Sequence, residues 1–340
     1  MKKIKNTQKT NFLKRVFIKF CRLVGFEIID QSSFSSPTLN KDLNETLSVQ
    51  GEKSITIPLG QINIKNKINS IKIILRSCTS ELIMDQNKKR IFDNEKNEYT
   101  FRTLRSLTKS IKAASNKFND IKFELIVTDT NSPEEDINQI KKILQQSNIQ
   151  NKFISIDLKK FENKIKQGYS KAKFSNMANF YNSLMIAKNE EADIIYFVED
   201  DYIHSINALT EMILAYEKFN TIFSKDLVLL PSDYPYLYTK DENTKIYLGE
   251  KNHWRLVSES LVTFMTSRKL IVKYYDSLEK MGIEWTDPWE EPLHKIYASN
   301  PCLSPIPSLA IHCANINSIF GISPLVDSKE LWENNEDKRK

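Results

Sequence analysis

Apolar positions along this chain follow two alternating periods. Ile71 to Leu75 is a short β-branched run that reads as a buried strand. Leu104, Leu107, Ile111 and Ala114 then recur at helical spacing. "KFELIVTDT" predicts a second strand, ending at Asp129. In "NSPEEDINQIKKIL", Ser132 is placed to cap a helix, Pro133 suits its first position, and Glu135 completes a capping box. "KFISIDL" predicts a third strand. In the next helical stretch Phe174, Met177, Ala178, Tyr181, Leu184 and Met185 share one face. "DIIYFVEDD" is a buried strand driven into three acids, Glu199, Asp200 and Asp201. Helical spacing returns through Ala208, Leu209, Met212, Ile213 and Tyr216. Two further apolar strands follow, in "LVLLPSDYPYLY" and in "PIPSLAIHCAN", the latter ending at His312. Alternation of buried strands with helices predicts an α/β fold, with a mostly parallel central sheet flanked by helices.

The amino terminus has a different character. Phe12, Leu13, Val16, Phe17, Phe20, Leu23 and Val24 follow helical spacing, with basic residues between them. Residues 1–26 hold Lys2, Lys3, Lys5, Lys9, Lys14, Arg15, Lys19 and Arg22 and no acid. That stretch is +8 of a net charge of +6, leaving −2 for the remainder. The body therefore has no broad basic face for nucleic acid. No apolar run approaches the ~20 residues that span a bilayer, and charges interrupt any secretory core. A basic amphipathic helix of this kind lies on an anionic membrane surface or docks on the protein's own core.

Residues 31–65 are Ser/Asn/Thr-rich and read as a linker or loosely structured segment. The division expected is a basic helix over 1–30, that linker, one domain over 66–325, and a tail over 326–340. Hydrophobic content of 40% and charge of 27% are those of an ordinary soluble globular protein. The four cysteines form no C-x-x-C pair, so a reduced cytoplasmic state is expected. Peripheral contact at the inner face of a membrane is expected through the first helix.

Parallel sheets place ligands at the carboxyl ends of their strands. Asp129 and the Glu199–Asp201 triplet both fall there and are expected to face one crevice. Three adjacent carboxylates stay ionised only beside positive charge. A hard divalent cation, Mn²⁺ or Mg²⁺, shared with phosphate oxygens would supply it. The plainer alternative is that the acids favour the next helix start or pair with lysines.

A strand–helix–strand order followed by an apolar strand ending in a D-x-D-like triplet resembles the GT-A fold of nucleotide-sugar glycosyltransferases, in particular bacterial family-two-like enzymes. The resemblance covers about residues 70–325, and "FVEDD" is this chain's version, with Glu199 where the family usually has its first Asp. It implies a nucleoside-diphosphate sugar as donor and a hydroxyl of a glycan or lipid-linked acceptor, in cell-envelope polysaccharide synthesis. It further implies hexosyl transfer with inversion. Arg76 and Ser77 would lie beside the base, Asp129 on base or ribose, and Asn176 and Asn179 near the nucleotide. Glu199 and Asp200 would also contact the donor, and Asp201, Glu199 and His312 would hold the metal. Asp233, His253, Trp254 and Arg255 would build the sugar pocket, Arg gripping phosphate with two donors and Trp stacking on a sugar face. Glu290, Asp287 or Glu291 would take the proton of the acceptor hydroxyl.

Three other classes compete. A nucleotidyltransferase acting on sugar phosphates uses similar carboxylates, but usually shows a Gly/Arg/Lys-rich phosphate loop after the first strand. "RSCTSELIMDQNKKR" has only the basic end of one. A glycoside hydrolase needs two facing carboxylates without metal or nucleotide. A non-catalytic carbohydrate- or nucleotide-binding protein needs no triplet, late His and acidic helix start together.

Overall fold

The computed structural model describes residues 12–26, 63–80, 89–239, 244–315 and 317–337. The chain divides into two units, residues 1–63 and 64–340. In the first, helix α1 spans Phe12–Leu23, as its apolar spacing predicts. Phe12, Val16, Phe17, Phe20 and Leu23 are exposed along it. Among the described residues no helix is long and apolar enough to cross a membrane. The expected linker, up to residue 62, lies outside the described residues.

The second unit is built on a sheet of nine described strands. In chain order they are β1 (Ser70–Ser77), β2 (Lys122–Asp129), β3 (Asn151–Ser155), β4 (Ile194–Glu199), β6 (Val228–Leu229), β7 (Ile246–Leu248), β8 (His253–Leu256), β9 (Phe264–Ser267) and β10 (Cys302–Ile306). Their spatial order is β3-β2-β1-β4-β9-β6-β10-β8-β7. The first four run parallel. Beyond β4 the sheet is mixed, because β9 runs antiparallel to both β4 and β6. The acidic triplet sits at the end of the parallel half.

Both faces of that half are covered, which is why its strands are apolar without clean alternation. Ile71, Ile73 and Leu75 of β1 pack with Leu104, Leu107 and Ile111 of helix α2 (Lys96–Lys117). Ile74 points the other way, into a cluster with Phe180 and Leu184 of α4 (Lys171–Asn189). Helices α3 (Glu134–Ser147) and α5 (Ala208–Phe223) complete the α2 side. Helices α6 (Arg268–Lys273), α7 (Tyr275–Ile283) and α8 (Glu291–Tyr297) complete the α4 side.

A second, two-stranded sheet sits beyond the end of β4. Strand β5 (Tyr202–His204) pairs antiparallel with β11 (Ala310–His312), with His312 opposite Tyr202. The Cys313 amide extends this contact by donating to the Asp201 carbonyl at 2.8 Å.

The structure adds local detail to these expectations and corrects the cap of α3. Pro133 occupies the cap position of α3, and no side chain caps that helix. The Ser132 hydroxyl instead donates to Asp129 at 2.6 Å. The segment that holds His253, Trp254 and Arg255 forms the strand β8. The segment read as a tail carries helix α9 (Ser328–Glu333), whose Trp332 is buried. The Trp332 ring stacks on Phe92 at 4.2 Å and lies under the Arg102 guanidinium at 4.4 Å.

Candidate active site

A cavity of about 530 Å³ opens at the carboxyl ends of β1 and β4. The register of the parallel strands builds its floor. Arg76 of β1 lies opposite Glu199 of β4, and Ser77 lies opposite Asp129 of β2. The β5–β11 pair brings His312 to one side, the start of α4 contributes Asn176 and Asn179, and the loop before α8 contributes Asp287 and Glu290. The triplet, Asp287, Glu290 and His312 therefore meet in one crevice although they come from three separate stretches of chain.

Asp201 and His312 form the central pair. The imidazole Nε2 lies 3.4 Å from Asp201 Oδ2. His312 Nδ1 donates to the Phe320 carbonyl at 2.7 Å, and the ring stacks on Tyr202 at 4.6 Å. Burial alone would raise the Asp201 carboxyl. The charge and hydrogen bond of His312, with Arg90 and Lys96 beyond, overcome this and hold it down at about 2. Burial opposes charge on His312, but Asp201 and then Glu199 outweigh it and raise the imidazole above its ordinary value.

This pair fits a divalent cation. A ligating His usually has its second ring nitrogen fixed by a carbonyl or carboxylate, which sets the tautomer. The Phe320 carbonyl does so here and leaves Nε2 turned to Asp201. A carboxylate oxygen beside an imidazole nitrogen suits Mn²⁺ better than Mg²⁺. Among the described residues no group of three His, Cys, Asp or Glu side chains is gathered for a metal. The expected third ligand, Glu199, is engaged elsewhere. Its Oε1 lies 3.1 Å from the Arg76 guanidinium, and Oε2 accepts from the Thr263 hydroxyl at 3.2 Å. Further ligands would have to come from a substrate.

Glu290 and Asp287 line the cavity; Glu291 does not. Glu291 forms an i,i+4 ion pair with Lys295 at 2.8 Å along α8, so its exposed face explains it. Glu290 is half-buried. Burial first, with the nearby charges of Glu199 and Asp287 adding and Arg76 opposing, pushes its carboxyl up to about 7. That is the value of a proton acceptor tuned to neutral pH.

The other expected residues divide cleanly. Asn176 lines the cavity and accepts from Arg76 at 3.0 Å. Asn179 also lines it, but its amide staples two strand ends by donating to the Ser77 and Thr128 carbonyls at 3.2 and 3.1 Å. Asp200 reaches the cavity while accepting from the Cys78 amide and the Thr100 hydroxyl, at 3.2 and 3.0 Å. Asp129 is sealed below the floor with no exposed surface, accepting from the hydroxyls of Ser77 and Ser132 at 2.7 and 2.6 Å. Its role is to hold Ser77, which does line the cavity.

Asp233, His253, Trp254 and Arg255 do not line the cavity. Asp233 is fully buried and paired with Arg255 at 2.5 Å, and the guanidinium lies 4.3 Å over the Tyr238 ring. Arg255 is thus consumed by an internal carboxylate. Trp254 is core, packed against Phe219 at 6.0 Å, and His253 is exposed.

Sequence reasoning missed Arg90, Lys96, Lys173, Trp285 and Trp289, all of which line the cavity. Trp285 and Trp289 stack nearly parallel at 5.0 Å, with the Lys173 ammonium 4.5 Å from the Trp285 ring. Neither tryptophan follows a period that would mark it. The one sequence signal is "EWTDPWEE", where both flank the acids already suspected.

No protein-family model and no curated protein matches the sequence. Among solved structures, the chain is similar to the galactosyltransferase LgtC in complex with donor and acceptor sugar analogs, at 10% identity and TM-score 0.32, over 66% of each chain. It is similar to the glycosyltransferase GlyE of Streptococcus pneumoniae at 11% identity and TM-score 0.39, over 78% of this chain and 60% of GlyE. It is also similar to a UTP-bound UGPase from Acinetobacter baumannii at 8% identity and TM-score 0.40, over 73% of this chain and 90% of that one. The chain thus spans just under two thirds of LgtC and less of GlyE. An α/β unit with an acidic triplet closing its fourth strand at a crevice is the GT-A arrangement that the sequence resembles.

The shifted groups set a pH dependence for the metal-free protein. Asp201, held low, contributes stability above its ordinary value near 3.8 that is lost as pH falls toward 2. His312, held high, contributes stability below its ordinary value of 6.5 that is lost as pH rises through its folded value. Glu290 keeps a proton in the folded state that the unfolded chain has released, so it costs stability as pH rises from 4.5 through about 7. Melting temperature in EDTA should therefore decline as pH rises from about 4.5 through 7. Glu290→Gln should make the decline shallower. Superimposable curves for the two proteins would show that Glu290 has no perturbed proton.

Proposed function

We propose that this chain is a metal-dependent glycosyltransferase that moves a hexose from a nucleoside-diphosphate sugar to a hydroxyl of a glycan or lipid-linked acceptor. The observation that carries the reading is the meeting of three features in one cavity: the Asp201–His312 pair, the strand-end carboxylates, and Glu290 with its carboxyl raised to about 7.

The residues take the following roles. Ser77 and Asn176 border the nucleoside at the end of β1. Asp201 and His312 hold a divalent cation, Mn²⁺ or Mg²⁺. When bound, it supplies Lewis-acid stabilisation to the departing diphosphate. Glu290 accepts the proton of the acceptor hydroxyl as its oxygen bonds to the anomeric carbon and the bond from that carbon to the diphosphate breaks. Attack on the face away from the leaving group inverts the anomeric centre. The Arg76–Glu199 pair balances charge between Glu290 and the metal pair, and Trp285 offers the acceptor an aromatic wall.

A thermal-shift screen tests this. The protein is heated with UDP, GDP, CDP or TDP, each with and without Mn²⁺. A ligand at 100 times its dissociation constant adds about 2.7 kcal/mol of stability. One base should register, most strongly with Mn²⁺, and Asp201→Ala should abolish that metal-dependent gain. If no diphosphate shifts the well-folded protein, the reading fails.

Helix α1 supports a membrane-proximal acceptor, as in cell-envelope polysaccharide synthesis. Its exposed Phe12, Val16, Phe17 and Phe20 accompany a stretch rich in cations and free of acids. Such a helix rests at an anionic lipid interface. Co-sedimentation with vesicles containing phosphatidylserine should be strong for the full chain and weak after removal of residues 1–26. Equal binding by both would remove the membrane from the account.

A further inference from the structure

One cationic side chain of the cavity, Arg90, keeps a donor that no described residue satisfies. Arg76 is committed: it donates to Asn176 at 3.0 Å and pairs with Glu199 at 3.1 Å. Arg90 is not. Its guanidinium lies 4.4 Å over the ring of Tyr99, and its Nη1 is buried without a hydrogen-bond partner among the described residues. A buried donor left unpaired is costly, so its persistence points to a ligand that satisfies it.

Arg90 is also held in place. Its backbone forms an isolated bridge with Asn315, just past His312. The Tyr99 ring beneath it is buried, and its hydroxyl donates to the Phe92 carbonyl at 2.5 Å. Lys96, the first residue of α2, places its ammonium at the Cys78 carbonyl, just beyond the end of β1. Both side chains line the cavity beside Asp201 and His312.

The chemistry of the leaving group suits these cations. A nucleoside diphosphate departs with more negative charge than one dication, already offset by the Asp201 carboxylate, can neutralise. A planar guanidinium over an aromatic ring presents donors to phosphate oxygens in fixed geometry, and an ammonium adds a point charge. We infer that Arg90 and Lys96 form a cationic clamp that binds the diphosphate of the donor beside the Asp201–His312 pair. The inference rests on the glycosyltransferase reading, and it assigns these residues to phosphate binding that does not depend on the metal.

The experiment is isothermal calorimetry on the full chain, with inorganic pyrophosphate, UDP and UMP as probes, in EDTA and in Mn²⁺. Arg90→Gln and Lys96→Gln are compared with the native protein, and Arg90→Lys serves as the charge-conserving variant. Each Gln variant should bind pyrophosphate about tenfold or more weakly in EDTA, with Arg90→Lys partly restored. The preference for UDP over UMP should narrow in the Gln variants, whereas a merely structural change would weaken both alike. If one Gln variant does not fold, the other carries the test. Native-like pyrophosphate binding by a folded Gln variant overturns the clamp and leaves the glycosyltransferase reading standing if the native protein binds a nucleoside diphosphate with Mn²⁺. If the native protein binds none of UDP, GDP, CDP, TDP or pyrophosphate, the clamp and the reading fall together.

Discussion

His312 reaches Asp201 because β11, near the carboxyl end of the chain, returns antiparallel to β5. That pairing brings an imidazole Nε2 to 3.4 Å from a carboxylate that closes a buried parallel strand. A carboxylate at such a place requires a positive partner. Here it has the His312 imidazole, which that carboxylate raises above its ordinary value. The crevice, its charge balance and the chemistry available to it all hang from this contact.

The remainder of the sheet keeps the contact in register. Strands β1, β2 and β4 end together, so small shifts there would displace the floor. Asn179 and Asp129 act against such shifts. One bridges the carbonyls of Ser77 and Thr128; the other gathers the hydroxyls of Ser77 and Ser132. Neither needs to touch a substrate to matter. The Arg76–Glu199 pair then separates two electrostatic regions: His312, Arg90 and Lys96 act on Asp201, while Glu199, Arg76 and Asp287 act on Glu290. One side is suited to a polyanion and the other to a proton.

Much of this was legible in the sequence. The α/β class follows from apolar strands between helical stretches, and β4 with its triplet follows from the abrupt change from "IIYFV" to "EDD". His312 was legible because it ends an apolar run, a place where side chains emerge at a sheet end. The limits have physical causes. Arg255 and Asp233 look like a phosphate grip and a ligand in sequence, but burial turns them into partners of one another, and only the antiparallel β8 shows this. Trp254 and Trp285 cannot be distinguished by pattern, because one faces the core and the other a cavity through tertiary packing alone. Arg90 lies in a stretch without periodicity, and its value comes from a ring in α2 and a bridge to Asn315.

The central claim is that this crevice breaks the bond between a sugar and a nucleoside diphosphate. The direct measurement is product analysis by mass spectrometry, after incubating the protein and Mn²⁺ with sugar nucleotides in one set and with sugar phosphates plus nucleoside triphosphates in another. The account predicts release of a nucleoside diphosphate from one class of sugar nucleotide by the native protein, and none by Asp201→Asn. Formation of sugar nucleotide and pyrophosphate in the second set, with no diphosphate release in the first, would contradict it and make the chain a nucleotidyltransferase.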